Sequence, residues 1–170
     1  MSATGNRRTR TISDRPNEAP DTAGVVARPP LIYGGALAAG LLAKLLFPTA
    51  FLPRRVARVL GLPLLGAGLL LFLFSLRSMR RAGTDVRTSK PTSSLVLEGP
   101  YRFTRNPIYL GFTLIYGGIT SLANSLPSAL LLPFVLIVMR RGVIEHEERY
   151  LERTFGEEYL RYKSRVRRWI

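Results

Sequence analysis

Uncharged apolar residues are concentrated in three blocks of the chain. Residues 106–139 form a run of 34 positions without a charge, and residues 59–76 form another of 18. Between residues 29 and 53 the only charge is Lys44. Apolar stretches of about 18 residues or more are typical of helices that cross a bilayer. A soluble fold would have to bury nearly all of this surface in one small core, so the pattern predicts an integral membrane protein.

The longest block predicts two crossings rather than one. A straight helix over its 34 residues would be about 51 Å long, whereas a bilayer core is about 30 Å thick. The Asn-Ser-Leu-Pro sequence at residues 124–127 is a natural break, so we expect a tight helical hairpin there. With one helix over residues 31–47 and another over residues 59–76, the predicted fold class is all-α, with about four transmembrane helices.

Small residues on the first two helices favour close helix packing. A face of Gly and Ala lets another backbone approach closely in a bilayer. These residues are Gly35, Ala36, Ala39 and Gly40 on the first helix, and Gly61, Gly66 and Gly68 on the second.

The residues after Met139 predict an amphipathic helix that lies along the membrane interface. Apolar side chains recur there at intervals of 7, 4, 4, 3, 4 and 3 residues, which places them on one helical face. Gly156 interrupts this face, and two glutamates follow it where the first turn of a new helix favours negative charge. The apolar residues are Ile144, Leu151, Phe155, Tyr159, Tyr162, Val166 and Trp169.

The chain therefore divides into three predicted parts. Residues 1–30 are polar and lack apolar periodicity, so we expect a disordered basic tail. Residues 31–76 hold the first two transmembrane helices. Residues 77–170 hold a basic loop, the helical hairpin and the C-terminal helix.

The net charge of +14 is typical of nucleic-acid binding, but topology explains it better. Of the 25 basic residues, 21 lie in the tail, in the loop over residues 77–105 and after Met139, and three lie between the first two blocks. Four crossings place these two groups on opposite sides of the membrane. Basic residues accumulate on the cytoplasmic side, so we expect both termini in the cytoplasm and contacts with anionic lipids rather than nucleic acid.

The composition excludes several kinds of site. The chain has no cysteine, which excludes disulfides, thiolate zinc sites, iron–sulfur clusters and cysteine nucleophiles. His146 is the single histidine, which excludes a multi-histidine metal site, and we expect no bound metal.

The first candidate for chemistry covers residues 99–111, Gly-Pro-Tyr-Arg-Phe-Thr-Arg-Asn-Pro-Ile-Tyr-Leu-Gly. Pro107 stands where a helix begins, with Asn106 as its natural N-cap. Free N–H groups at such a helix start suit an anion, and Tyr101 and Tyr109 offer flat faces with a polar tip. The alternative is an ordinary membrane-entry turn in which Arg and Tyr are interface anchors.

The second candidate is the Glu-His-Glu-Glu sequence at residues 145–148. Glu147 and Glu148 border the apolar face, and carboxylates at a membrane boundary can serve a function when they point into a protein cavity. They could accept hydrogen bonds from ribose hydroxyls or from an ammonium group. The alternative is a solvated charge run.

Taken together, residues 95–168 resemble the isoprenylcysteine carboxyl methyltransferase family and its phospholipid methyltransferase relatives. That family has a Gly-x-Tyr turn, then Arg-His-Pro-x-Tyr-x-Gly opening a membrane helix, a hairpin, and Glu-Glu-x-x-Leu-x-x-x-Phe-Gly-x-x-Tyr-x-x-Tyr. The chain matches these motifs at residues 99–101, 105–111 and 147–162, in the same order. It departs from them at Asn106, where the family commonly has a histidine, and an asparagine amide, unlike an imidazole, cannot titrate.

The resemblance implies S-adenosylmethionine as the cofactor, held by residues of both motifs. The cofactor-binding residues that it implies are Leu95, Val96, Tyr101, Asn106, Pro107, Ile108, Tyr109 and Glu147. The family's substrate-binding arginine matches Val143, and Arg140 and Arg141 lie within one helical turn of it. We therefore take Arg140 and Arg141 as candidates for substrate binding.

The predicted function is methyl transfer from S-adenosylmethionine to a lipid-like or lipid-attached acceptor. It requires the two motifs to line one concave pocket with Tyr101, Asn106, Tyr109 and Glu147. Two alternatives stay open at this point. One is a membrane reductase that uses NADPH, because some small helical sterol reductases have a similar C-terminal layout, and the other is a non-catalytic membrane assembly protein.

Overall fold

The computed structural model describes residues 27–83 and 95–170. Within these residues the chain is helical and has no β-strand. The helices are α1 (Pro29–Leu46), α2 (Arg54–Arg81), α3 (Pro107–Ala123), α4 (Leu126–Met139), α5 (Glu145–Phe155) and α6 (Glu157–Arg165), with a 3₁₀ turn at Gly99–Arg102 and a π segment at Arg140–Ile144. The predicted disordered tail lies mostly outside the described residues, except that α1 already begins at Pro29.

The all-α membrane fold is confirmed. Three helical stretches are long and apolar enough to cross a bilayer, namely α1, α2 and the continuous stretch Leu126–Phe155, and α3 is a shorter apolar helix. Large apolar side chains point outward from the bundle, among them Leu45, Leu69 and Phe134. Soluble monomers rarely expose such continuous apolar surface, so this surface faces lipid.

Helix α2 is longer than its apolar block predicted. The block ends at Leu76, but the helix runs from Arg54 to Arg81 and so takes in six flanking arginines beside the apolar core. Hydropathy marks the part of a helix that meets lipid, whereas arginine is a good helix former that continues the helix into the headgroup region. The start of the basic loop, predicted at residue 77, was therefore wrong.

Glycines bring α2 close to α3, and α1 close to α4. A Cβ atom added to Gly68 would lie 2.7 Å from the backbone nitrogen of Ile115, and one on Gly118 would lie 2.6 Å from that of Leu65. A Cβ on Gly40 would lie 2.6 Å from Cα of Ser128. The predicted role of small residues is thus met at Gly40, whereas Gly35 faces open space.

The hairpin predicted at residues 124–127 is confirmed. Asn124 adopts the left-handed conformation at φ 49°, which ends α3 and lets the chain reverse. Its Oδ1 accepts from the backbone N–H groups of Phe51 and Leu52, at 3.0 Å each. Ser125 then caps α4 by accepting from the N–H of Ser128, so side chains at the turn tie the hairpin to the α1–α2 connection.

Candidate functional site

A change of helical geometry precedes the glutamate motif. The chain leaves α4 without a break, but residues 140–144 form a π segment before α5 begins. A π turn contains an extra residue, which rotates everything after it by about 100° relative to an uninterrupted α-helix. Val143 and Ile144 are fully buried in this segment. The π segment therefore sets the direction in which Glu147 and Glu148 point.

Glu147 and Tyr109 join the two sequence motifs directly. The Tyr109 hydroxyl donates to Oε1 of Glu147 at 2.6 Å, across 38 residues of sequence. Tyr109 is buried and Glu147 is half-buried. The expectation that Glu147 lies beside the turn that opens α3 is thus confirmed, while a closed pocket between these side chains stays a prediction.

Tyr101 lies close to the same pair. The 3₁₀ turn carries it, and the Tyr162 hydroxyl on α6 donates to its backbone carbonyl at 2.7 Å. Burial raises the pKa of the Tyr101 phenol well above its ordinary value, and the nearby Tyr162 and Glu147 raise this pKa further. Tyr101 therefore remains a neutral hydroxyl at every physiological pH.

Asn106 occupies the N-cap position of α3 but does not cap it with its side chain, so that part of the prediction was wrong. Its Nδ2 donates instead to the backbone carbonyl of Arg168, at 3.0 Å. Its own backbone N–H donates to Oγ1 of Thr104 at 3.2 Å. The side-chain amide of Asn106 thus binds the C-terminal residues of the chain. The local sequence pattern does not reveal this contact.

Glu148 is the centre of a buried ion cluster. Arg168 donates to both of its carboxylate oxygens, with Nε 3.0 Å from Oε1 and Nη2 2.7 Å from Oε2. Nη2 of Arg105 lies 3.4 Å from Oε1, and the side chains of Arg105 and Glu148 are 9% and 8% exposed. Two further nitrogens of Arg105, Nε and Nη1, have no hydrogen-bond partner among the described residues. Nη1 of Arg168 also lies 3.9 Å from Oε1 of Glu145, so two carboxylates face the two guanidinium groups of the cluster.

The ion cluster changes the titration of its neighbours. The pKa of Arg168 is raised, first by its hydrogen bonds to Glu148. Burial raises the pKa of the Tyr159 phenol to about 12, with Glu148 as the next contribution. At neutral pH Arg168 therefore carries its charge, and the Tyr159 phenol is neutral.

The remaining predicted residues differ in their exposure. Pro107 is fully buried at the start of α3, Val96 is buried, and Leu95 and Ile108 are half-buried. Their roles in binding stay predictions. Arg140 and Arg141 are exposed on the π segment, and Arg140 lies 3.3 Å from Glu145.

The structure adds residues that sequence reasoning did not select as site residues. Arg105 and Glu148 stand inside the two motifs, so their pairing could have been sought there. Arg168 gave no signal, because it is one of nine basic residues after Met139. Thr104 and Tyr162 act through contacts with backbone carbonyls, which a sequence pattern does not encode.

An apolar groove of about 440 Å³ adjoins the turn before α3. It lies between α2, the 3₁₀ turn, α3 and the C-terminus, and Thr104 is its single polar residue. Such a surface suits a hydrocarbon chain. The lining residues are Leu71, Pro100, Phe103, Thr104, Leu110, Trp169 and Ile170.

Comparisons with known proteins agree with this arrangement. A family model for phospholipid methyltransferases matches residues 56–158. The chain is 36% identical over 72 residues to a protein-S-isoprenylcysteine O-methyltransferase of Schizosaccharomyces pombe, a match that covers 42% of this chain and 30% of that protein. It is 47% identical over 49 residues to an uncharacterized protein of Haemophilus influenzae, which covers 29% of this chain and 76% of that protein. No solved structure matches. Because the family model spans more than half of its length, the chain belongs to the phospholipid methyltransferase family.

Proposed function

We propose that this protein transfers a methyl group from S-adenosylmethionine to a lipid-like or lipid-attached acceptor at the membrane surface. The observation that carries the proposal is the Tyr109–Glu147 hydrogen bond, which joins the two motifs at one end of the bundle. Family membership supplies the reaction class. The cofactor, the acceptor and the role of each residue belong to the proposal.

The side chains at this end have the chemistry that the cofactor requires. S-Adenosylmethionine carries ribose hydroxyls, an adenine ring and a methyl group already activated on a sulfonium. Glu147 can accept from hydroxyls or face a cation, and the neutral rings of Tyr101 and Tyr109 can stack or lie against positive charge. The other cofactor residues of the proposal are Leu95, Val96, Asn106, Pro107 and Ile108.

The protein's task in this reaction is positioning. Methyl transfer needs the acceptor atom in line with the methyl group, and such orientation can lower a barrier by several kcal/mol, about 7–11 in favourable cases. Tyr101 is half-buried, and the hydrogen bond from the Tyr162 hydroxyl to its backbone carbonyl fixes its position, so it is suited to hold the cofactor rigidly. A carboxylate acceptor would need no strong base, and an amine acceptor would have to be neutral.

The acceptor would reach the site from the bilayer. The groove beside Thr104 is lined almost wholly by apolar side chains and opens next to the turn that begins α3, so we assign it to the hydrocarbon chain of the acceptor. Arg140 and Arg141 are exposed at the end of the fourth helix, where they could attract a carboxylate or phosphate group.

The site faces the cytoplasm in this proposal, because 21 of 25 basic residues lie on that side. The chain has no cysteine, so single cysteines introduced at Thr49 and Ile170, both exposed, can be labelled separately. We expect Ile170→Cys to react from the cytoplasm and Thr49→Cys only from the other side. Labelling of Thr49→Cys from the cytoplasm would contradict the orientation.

The function itself is tested with methyl-labelled S-adenosylmethionine and the purified protein in lipid nanodiscs. Prenylcysteine, fatty-acyl and phospholipid acceptors are supplied in turn, and label in the lipid fraction is measured. We expect transfer to at least one acceptor. Binding of NADPH together with no binding of S-adenosylmethionine would replace the proposal with the reductase alternative.

A further inference from the structure

The last residues of the chain, 166–170, form what we call the C-terminal strap. It leaves α6 in an extended conformation at Val166 and runs beside the turn before α3. The backbone N–H of Arg105 donates to the carbonyl of Arg167 at 3.0 Å. Oγ1 of Thr104 and Nδ2 of Asn106 both donate to the carbonyl of Arg168, at 3.1 and 3.0 Å. Three successive residues of the first motif are therefore bonded to the strap.

The second motif is bonded to the same residue of the strap. The guanidinium of Arg168 makes a two-point contact with Glu148, which neighbours Glu147 on α5. Two-point contacts between arginine and a carboxylate fix orientation as well as distance. Trp169 packs against the core cluster that contains Tyr109. Arg168 thus holds one motif through its backbone and the other through its side chain.

We propose that Arg168 is a positioning residue of this site: by holding the turn at Thr104–Asn106 to Glu148, it sets the relative placement of Tyr109 and Glu147. This inference rests on the proposed function. It extends the site beyond the family match, which ends at residue 158. It also gives Asn106 a task that needs no titration, since the amide binds the strap.

Neighbouring arginines provide the controls. The side chain of Arg167 is exposed, and only its backbone carbonyl takes part in the strap. Arg167→Gln therefore changes the charge by the same amount as Arg168→Gln while every contact described above is retained. Arg168→Lys keeps the charge but loses the two-point geometry, and it serves as the milder variant if Arg168→Gln does not fold.

Two readouts separate positioning from simple stability. Trp169 is the only tryptophan in the sequence. Its emission and its quenching by acrylamide therefore measure, without any ligand, whether the strap is packed against the core. Calorimetric titration with S-adenosylmethionine reports the site. Because Arg168→Gln removes the charged two-point contact with Glu148, we expect it to weaken cofactor affinity by about tenfold or more, with Arg168→Lys between it and the wild type.

Arg168→Gln should also shift Trp169 emission to the red and increase its quenching, while Arg167→Gln behaves as the wild type in both measurements. Wild-type cofactor affinity in a folded Arg168→Gln protein would overturn the inference and leave the proposed function standing. An equal loss of affinity in Arg167→Gln would overturn it too. If the wild type binds no S-adenosylmethionine, the proposed function fails, and unchanged Trp169 emission in Arg168→Gln would then refute the strap contact as well.

Discussion

At the hairpin end of the bundle, Asn124 and Ser125 join the helices through hydrogen bonds to backbone groups, whereas at the site end Glu148 joins them through two arginines. Between these ends the helices touch through glycines. At the hairpin end the Lys44 ammonium also donates to the carbonyl of Ala123, but the stretch between the two ends is held by neutral contacts, because a charge within lipid would be costly. The charged cluster, by contrast, lies just beyond the apolar residues, beside the proposed cofactor site. The difference indicates that the glycine contacts determine stability, while the site end determines stability and binding together.

Removal of the central carboxylate should have the largest effect. Glu148→Gln leaves Arg105 buried without its counter-charge, and breaking a buried ion pair in this way costs about 3–5 kcal/mol. We expect a large loss of thermal stability in detergent, together with loss of cofactor binding. Glu152→Gln is the matched control, because Glu152 pairs with a half-exposed Lys163 and such pairs contribute about 0–1 kcal/mol. Equal melting temperatures for the two variants would show that the buried cluster contributes no more to stability than the Glu152–Lys163 pair does.

Overpacking of the membrane half, by which we mean the contacts among α1–α4, should reduce stability without affecting cofactor binding. The Cβ of Gly118→Ala would meet the backbone of Leu65, so α2 and α3 must separate at a cost of about 1–3 kcal/mol. Gly66→Ala places its Cβ in open space and should cost nothing. Thermal unfolding measures the loss, and titration of the folded protein with S-adenosylmethionine should give wild-type affinity for both variants. A tenfold loss of affinity in folded Gly118→Ala would show that the two regions are not separate.

Loss of one hydroxyl should produce the smallest effect, and it should differ between the regions. Tyr109→Phe removes the donor to Glu147, so cofactor affinity should fall by about tenfold with a modest change in stability. Tyr116→Phe removes a buried hydroxyl that donates to the carbonyl of Ser128 in the membrane half. We expect it to lower stability by about 1 kcal/mol and to leave affinity unchanged. If Tyr116→Phe weakened binding as much as Tyr109→Phe, the two regions would not differ in their effect on cofactor binding.

Sequence patterns predicted the membrane half better than the site end. The lengths of the apolar blocks predicted the transmembrane helices, and the Asn-Ser-Leu-Pro break predicted the hairpin, because both depend on local chemistry and on bilayer thickness. The extension of α2 to Arg81 was missed since hydropathy reports lipid contact, and the π segment was missed since no residue type marks it.

At the site end, the motifs predicted the meeting of Tyr109 and Glu147. They did not predict that Asn106 binds the carbonyl of Arg168, or that Arg168 binds Glu148. These contacts join residues 62 and 20 positions apart through residues 166–170, which leave the helix although Val166 and Trp169 continue its apolar spacing. Long-range contacts of this kind depend on the folded arrangement of several elements, so a local pattern cannot specify them.

The central claim is that Glu147 belongs to a site for S-adenosylmethionine. Its most direct test is calorimetric titration of the wild type, Glu147→Gln and Glu157→Gln with S-adenosylmethionine in nanodiscs. Glu157 is an exposed glutamate in the first turn of α6, so its replacement removes a carboxyl group away from Tyr109. We predict saturable binding to the wild type and to Glu157→Gln, and affinity weaker by about tenfold or more in Glu147→Gln. Equal affinity in all three proteins would contradict the account.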